Sequence, residues 1–135
     1  MTENPGRAEE FDPELLELWA KVFGFARSGA TAELAAYVDA GISANLTNDR
    51  GDTLVMLAAY HGHAETVAAL IERGADPNRE NDRGQSPLAG AVFKNEPEVV
   101  KALLKGGADA TAGEPSAIDA ARMFGNTELL KLLER

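Results

Sequence analysis

A chain of 135 residues with 44% apolar content suits one packed domain, and its formal charge of −9 would repel a phosphate backbone at long range; with no Lys/Arg stripe to overrule it, nucleic acid is an unfavourable ligand. Cysteine is absent, which excludes disulfides, thiolate metal sites and cysteine nucleophiles. The opening residues lack the basic start and apolar core of a signal peptide, and no apolar run approaches the roughly 18 residues of a membrane span, so the expectation is a cytoplasmic protein outside the membrane.

Residues 1–10 are polar and acidic and bury nothing obvious, and they read as a flexible tail. Asp12 is placed to cap a helix whose first position is Pro13, with Phe11 stapled onto Leu16. Leu15, Leu18, Trp19, Val22 and Phe23 then recur at i, i+3, i+4, i+7 and i+8, an amphipathic helix. Further on, Thr53 caps a helix through about Tyr60, Gly62 breaks it, and Val67, Leu70 and Ile71 mark a second helix that ends before Gly74, a left-handed cap. The next stretch repeats this with Ser86-Pro87 as cap and first helical residue. Asn95 stands where Gly62 stood, which is coherent because Asn tolerates the left-handed conformation, and Val99, Val100, Leu103 and Leu104 form the second stripe.

The segments Asn48-Asp49-Arg50-Gly51-Asp52 and Asn81-Asp82-Arg83-Gly84-Gln85 have the chemistry of tight reversals and are expected to project as fingers. A third such connection, before Ser116, is shorter by three residues, and a final helix carrying Leu129, Leu130, Leu132 and Leu133 runs to the last residue. Gly41, Gly74 and Gly107 recur at a constant interval of 33 residues and close near-identical phrases. A fixed period of this length means that each unit is a helical hairpin unable to bury its apolar face alone, so that copies stack into a solenoid.

The stretch from Gly62 to Asn78 resembles the second half of an ankyrin repeat, and Thr53-Leu54-Val55-Met56-Leu57-Ala58-Ala59 and Ser86-Pro87-Leu88-Ala89-Gly90-Ala91 resemble that family's first-helix motif. The resemblance runs from about Leu18 to Arg135. It implies an all-α ankyrin-repeat solenoid of about four units with β-turn fingers. The units are a capping repeat over residues 11–45, repeats over 46–78 and 79–111, and a shortened C-terminal capping repeat over 112–135. The family's motif histidine is replaced by Met56, Ala89 and Asp119, which puts local helix stability in question, with Ser116 and Asp119 available as a reciprocal capping box.

The same resemblance implies a noncatalytic module that binds a partner protein on its concave face and fingers, without cofactor or metal. Carried over by position, the binding residues are Asp49, Arg50, Asp52, Asp82, Arg83 and Gln85 in the fingers, and Arg27, Tyr60, His61, Phe93, Lys94, Met123 and Phe124 at the first-helix ends. Tyr60, Phe93 and Met123 are expected to line up as an apolar ladder; the competing reading has them cover helix ends or pack between repeats. The overall acidity favours a partner with a basic surface. Similarity to small bacterial ankyrin proteins that accompany catalases leaves an accessory subunit of a metabolic or redox enzyme as an alternative, and similarity to four-repeat kinase inhibitors leaves a signalling inhibitor.

Other chemistry finds little support. His61 and His63 lie two apart, where helical side chains do not face each other. The Asn45-Leu46-Thr47 sequon reads as chance without a secretory signal. Asp49 with Asp52, and Asp82 near Glu80, lack a pocket to split their pKa values. Ser28, Ser43, Ser86 and Ser116 fall at turns and caps without a base, and no phosphate-binding loop is present. A monomer is expected, with weak self-association through the leucine-rich last helix left open.

Overall fold

A computed structural model describes residues 13–135; the expected tail, the Asp12 cap and the Phe11 staple lie outside the described residues. Among the described residues eight helices follow one another: α1 (Pro13–Ser28), α2 (Thr31–Asp39), α3 (Leu54–Tyr60), α4 (Ala64–Glu72), α5 (Pro87–Phe93), α6 (Pro97–Lys105), α7 (Ala117–Met123) and α8 (Thr127–Leu133). They pair as hairpins, α1 with α2 through α7 with α8. Helices α1, α3, α5 and α7 stack in one row, and α2, α4, α6 and α8 in a second.

Helices of seven to nine residues are too short to hold themselves in water, since isolated helices below about 12 residues are marginal. Packing supplies what propensity cannot. Val67 and Leu70 of α4, and Val99, Val100 and Leu103 of α6, are essentially inaccessible to water, and each such side chain contributes about 1.5–3 kcal/mol. That exceeds the ~1 kcal/mol of an N-cap, so removing a neighbouring hairpin would cost a short helix more than losing its own cap. Buried Ala58, Ala59, Ala91, Ala120 and Ala121 keep the first-row helices close together. In α1 the expected stripe turns inward through Trp19, Val22 and Phe23, joined by Ala26, with Leu15 and Leu18 half-buried.

The caps survive loss of the motif histidine. Thr53, Ser86 and Ser116 each accept a bond from the backbone N–H three residues on, those of Met56, Ala89 and Asp119, at 3.0–3.1 Å. A cap engages a main-chain donor, so the substituted side chain is immaterial to it. At Ser116 only this half of the capping box forms, because the Asp119 carboxylate faces Arg122 at 3.8 Å.

Every hairpin turns through one residue with positive φ: Gly29 (76°), Gly62 (83°), Asn95 (55°) and Gly125 (64°). Asn95 occupies the left-handed region as its sequence position requires. Gly29 is held more tightly, because a Cβ there would lie 2.5 Å from the His63 ring. That ring sits close for a reason: His63 Nε2 donates to the Arg27 carbonyl at 2.8 Å and so ties the second hairpin to the end of α1.

Candidate functional site

Two sets of exposed side chains come from equivalent places in successive hairpins. The first set lies in the fingers. Asn48 Oδ1 accepts from the backbone N–H of Arg50 and Asp52, and Asn81 Oδ1 accepts from those of Arg83 and Gln85, all at 2.9–3.0 Å. A bridge between Thr47 and Thr53 closes the base of the first finger. The fingers also bond to each other: Asp82 N–H donates to the Arg50 carbonyl and Glu114 N–H to the Gly84 carbonyl. Asn81 Nδ2 reaches Asp52 at 2.9 Å and Gln85 Oε1 at 2.8 Å. Asp52 and Gln85 therefore fix finger shape, while Asp49, Arg50, Asp82 and Arg83 are exposed at the tips.

The second set lies at the C-terminal ends of the first-row helices. Tyr60, Phe93 and Met123 are the last residues of α3, α5 and α7, and His61, Lys94 and Phe124 are the C-caps that follow them. Arg27 holds the matching place in the last turn of α1. Tyr60 is 43% exposed, Phe93 63%, Met123 70% and Phe124 53%, values far above those of core side chains.

These residues meet diagonally. The Lys94 ammonium stands 4.9 Å from the centre of the Tyr60 ring, a cation–π contact. Phe124 meets Phe93 edge to face with centroids 5.4 Å apart, an arrangement worth about 0.5–1.5 kcal/mol beyond burial. In both cases the cap residue of one hairpin covers the last helical residue of the hairpin before it. Tyr60 also lies against Gly90 of the next helix, where a Cβ would come within 3.9 Å of its ring. Tyr60 and Phe93 thus make contacts between repeats while keeping 43% and 63% of their surface exposed. Met123 ends the series with 70% of its surface open.

Charge at this edge runs against that of the whole chain. The shift of His61 to a pKa below the ordinary histidine value comes first from partial burial, then from the charge effects of His63, Arg27 and Lys94. Glu96 is the carboxylate next to this turn, resting against Gly62. The expectation of a basic partner came from the net charge of −9, whereas the helix-end row presents Arg27 and Lys94.

Several residues carry structure that the sequence reading passed over. Asn45, noticed only as a sequon, donates to the Gly74 carbonyl and accepts from Asp76 N–H at 3.2 and 2.8 Å. Asn78 repeats both bonds one period later, to Gly107 and from Asp109, at 3.3 and 2.7 Å. The signal was present as two asparagines 33 residues apart. The serines weighed as nucleophiles are occupied: Ser86 and Ser116 as caps, Ser43 accepting from Asn45 N–H, and Ser28 donating to Phe25. Among the described residues no group of three metal-binding side chains converges, and no helix is long and apolar enough to cross a membrane.

Stacked helical hairpins with projecting fingers and an exposed row of helix ends define a helical repeat protein built for surface recognition. The chain belongs to the ankyrin repeat family: a profile for ankyrin repeats in three copies matches residues 24–114. It is similar to an ankyrin repeat protein of Pseudomonas aeruginosa, 43% identical over 67 residues, which make up 50% of this chain and 38% of that one. The match thus spans well under half of that relative. Ankyrin repeats are protein-interaction modules and are generally noncatalytic.

Proposed function

We propose that this chain is a noncatalytic binding module that holds a partner protein along the fingers and the helix-end row. The carrying observation is the exposed series Tyr60, Phe93, Phe124 and Met123, supplied by three consecutive hairpins and fixed by contacts between them. Aromatic residues and Met are enriched at the centres of protein interfaces, where truncating one typically costs about 2 kcal/mol or more. The fingers enter the first-row helices at one end and this series leaves them at the other. Seven helical residues span roughly 10 Å, so one partner surface reaches both.

The test is capture from native lysate on the immobilised chain, run beside a Tyr60→Ala/Phe93→Ala variant. Neither side chain belongs to the buried core, Phe93 being 63% and Tyr60 43% exposed, so the variant keeps its helical circular dichroism and melting cooperativity. The expected result is a discrete protein retained by the parent and lost at least tenfold with the variant. Undiminished capture by the folded variant contradicts the assignment.

A further inference from the structure

The helix-end row has two chemically different ends. Its paired positions, taken hairpin by hairpin, are Arg27 with Ser28, Tyr60 with His61, Phe93 with Lys94, and Met123 with Phe124. None of these eight residues is acidic, although the chain carries 22 Asp and Glu against 13 Lys and Arg. The first three hairpins supply Arg27, His61 and Lys94 and are linked along the row: the Lys94 ammonium lies 4.9 Å from the Tyr60 ring, that ring meets His61 at 5.6 Å, and His63 bonds to the Arg27 carbonyl at 2.8 Å. Among the described residues no carboxylate pairs with Arg27 or Lys94, and Lys94 rests instead on the Tyr60 face with its N–H groups available. The last two hairpins contribute Phe93, Phe124 and Met123, all more than half exposed.

Resting on the reading of this row as the binding edge, we propose that its partner contributes an acidic amphipathic segment: carboxylates beside Arg27, His61 and Lys94, and an aromatic or branched apolar side chain over Phe93, Phe124 and Met123. Charge complementarity carries the choice. The net charge of −9 opposes an acidic segment at a distance, but exposed charges farther than about 8 Å are largely screened at physiological salt, leaving the local cations dominant at contact. Glu96, against the Gly62 turn, is an opposing carboxylate beside the row and marks a place where the segment's acidic residues cannot sit. Neighbouring helices pack about 8–10 Å apart, which separates the two ends by roughly 15 Å. An extended chain covers that in about four or five residues, so the segment's acidic and apolar residues are separated by about that number.

The probe is a displayed library of short random peptides selected on the full chain at physiological salt. The expected pool is enriched in Asp or Glu at the stated spacing from Phe, Trp or Leu. Its affinity falls at least tenfold on an Arg27→Glu/Lys94→Glu variant with an unchanged melting temperature, and reselection on that variant returns peptides with Lys or Arg in place of the acids. A pool that binds the edge, and is lost with Tyr60→Ala/Phe93→Ala, yet shows no acidic bias overturns this inference while leaving the edge intact. Peptides indifferent to Tyr60→Ala/Phe93→Ala overturn the edge itself, and a library that yields no binder also counts against the inference.

Discussion

His61 shows how a single side chain reports on its surroundings. Partial burial and then His63, Arg27 and Lys94 lower its pKa in the folded chain, while in the unfolded chain it titrates near the ordinary value of about 6.5. A group whose folded value is depressed contributes stability above its unfolded value and loses it as pH falls through the folded one. Acidification from about pH 7.5 to about pH 5 should therefore lower the melting temperature of the parent more than that of His61→Gln. Thermal melts across this range check it, and parallel curves would show that neither burial nor the neighbouring charges depress the His61 pKa. Asp109, held low by bonds from the Thr111 hydroxyl and N–H, loses its contribution only in the acid range below about pH 4, so the two effects separate. At this scale the sequence was legible wherever one residue type has one conformational use. Asn95 and Gly62 as left-handed turns, and Thr53 and Ser86 as caps, follow from residue type and are found so. The environment of His61 was not legible, because it depends on Arg27 and Lys94, which reach it from other hairpins.

Between elements, adjoining hairpins are joined by polar rungs as well as by apolar burial. Asn45 and Asn78 each clamp the loop of the following hairpin with one donated and one accepted bond. Arg73 on α4 reaches Asp39 on α2 at 2.9 Å across the second row, but that pair is solvent-exposed and such pairs are worth about 0–1 kcal/mol. The asparagine rungs matter more because each serves two main-chain groups. Replacing Asn78 with Ala should destabilise the fold by about 1–2 kcal/mol, measured by urea unfolding at constant slope; a change below about 0.3 kcal/mol would assign the coupling to burial alone. Helix starts were readable from Thr53 and Ser86-Pro87, which stand at or next to the first helical residue. The reciprocal box at Ser116 was misread, because Asp119 has a competing cation in Arg122 on the same helix face. The diagonal contacts were also beyond the sequence. A period aligns equivalent positions such as Tyr60 and Phe93, but side chains lean along the stack, so Phe93 meets Phe124 and Tyr60 meets Lys94.

For the whole molecule, a repeat protein has no single centre, and its binding surface is whatever the stack leaves open along one edge. Stacking consumed most of the apolar sequence. Of the four C-terminal leucines, Leu129 and Leu133 are buried and Leu130 and Leu132 half-buried. Apart from Leu16 on α1, the large apolar side chains that stay open among the described residues are grouped at the ends of α3, α5 and α7. The architecture was readable from the 33-residue interval alone. The character of the edge was not, since a net charge sums the whole chain and does not tell which charged side chains the stack brings to the row. The most direct measurement is a map of backbone amide shifts on the isotope-labelled chain upon binding the protein retained in the capture experiment. The account predicts the largest changes at Arg27, Tyr60, His61, Phe93, Lys94, Met123 and Phe124, with a second group at the fingertips Asp49, Arg50, Asp82 and Arg83. Changes gathered on the exposed faces of α4 and α6, with the helix-end amides unmoved, would contradict it.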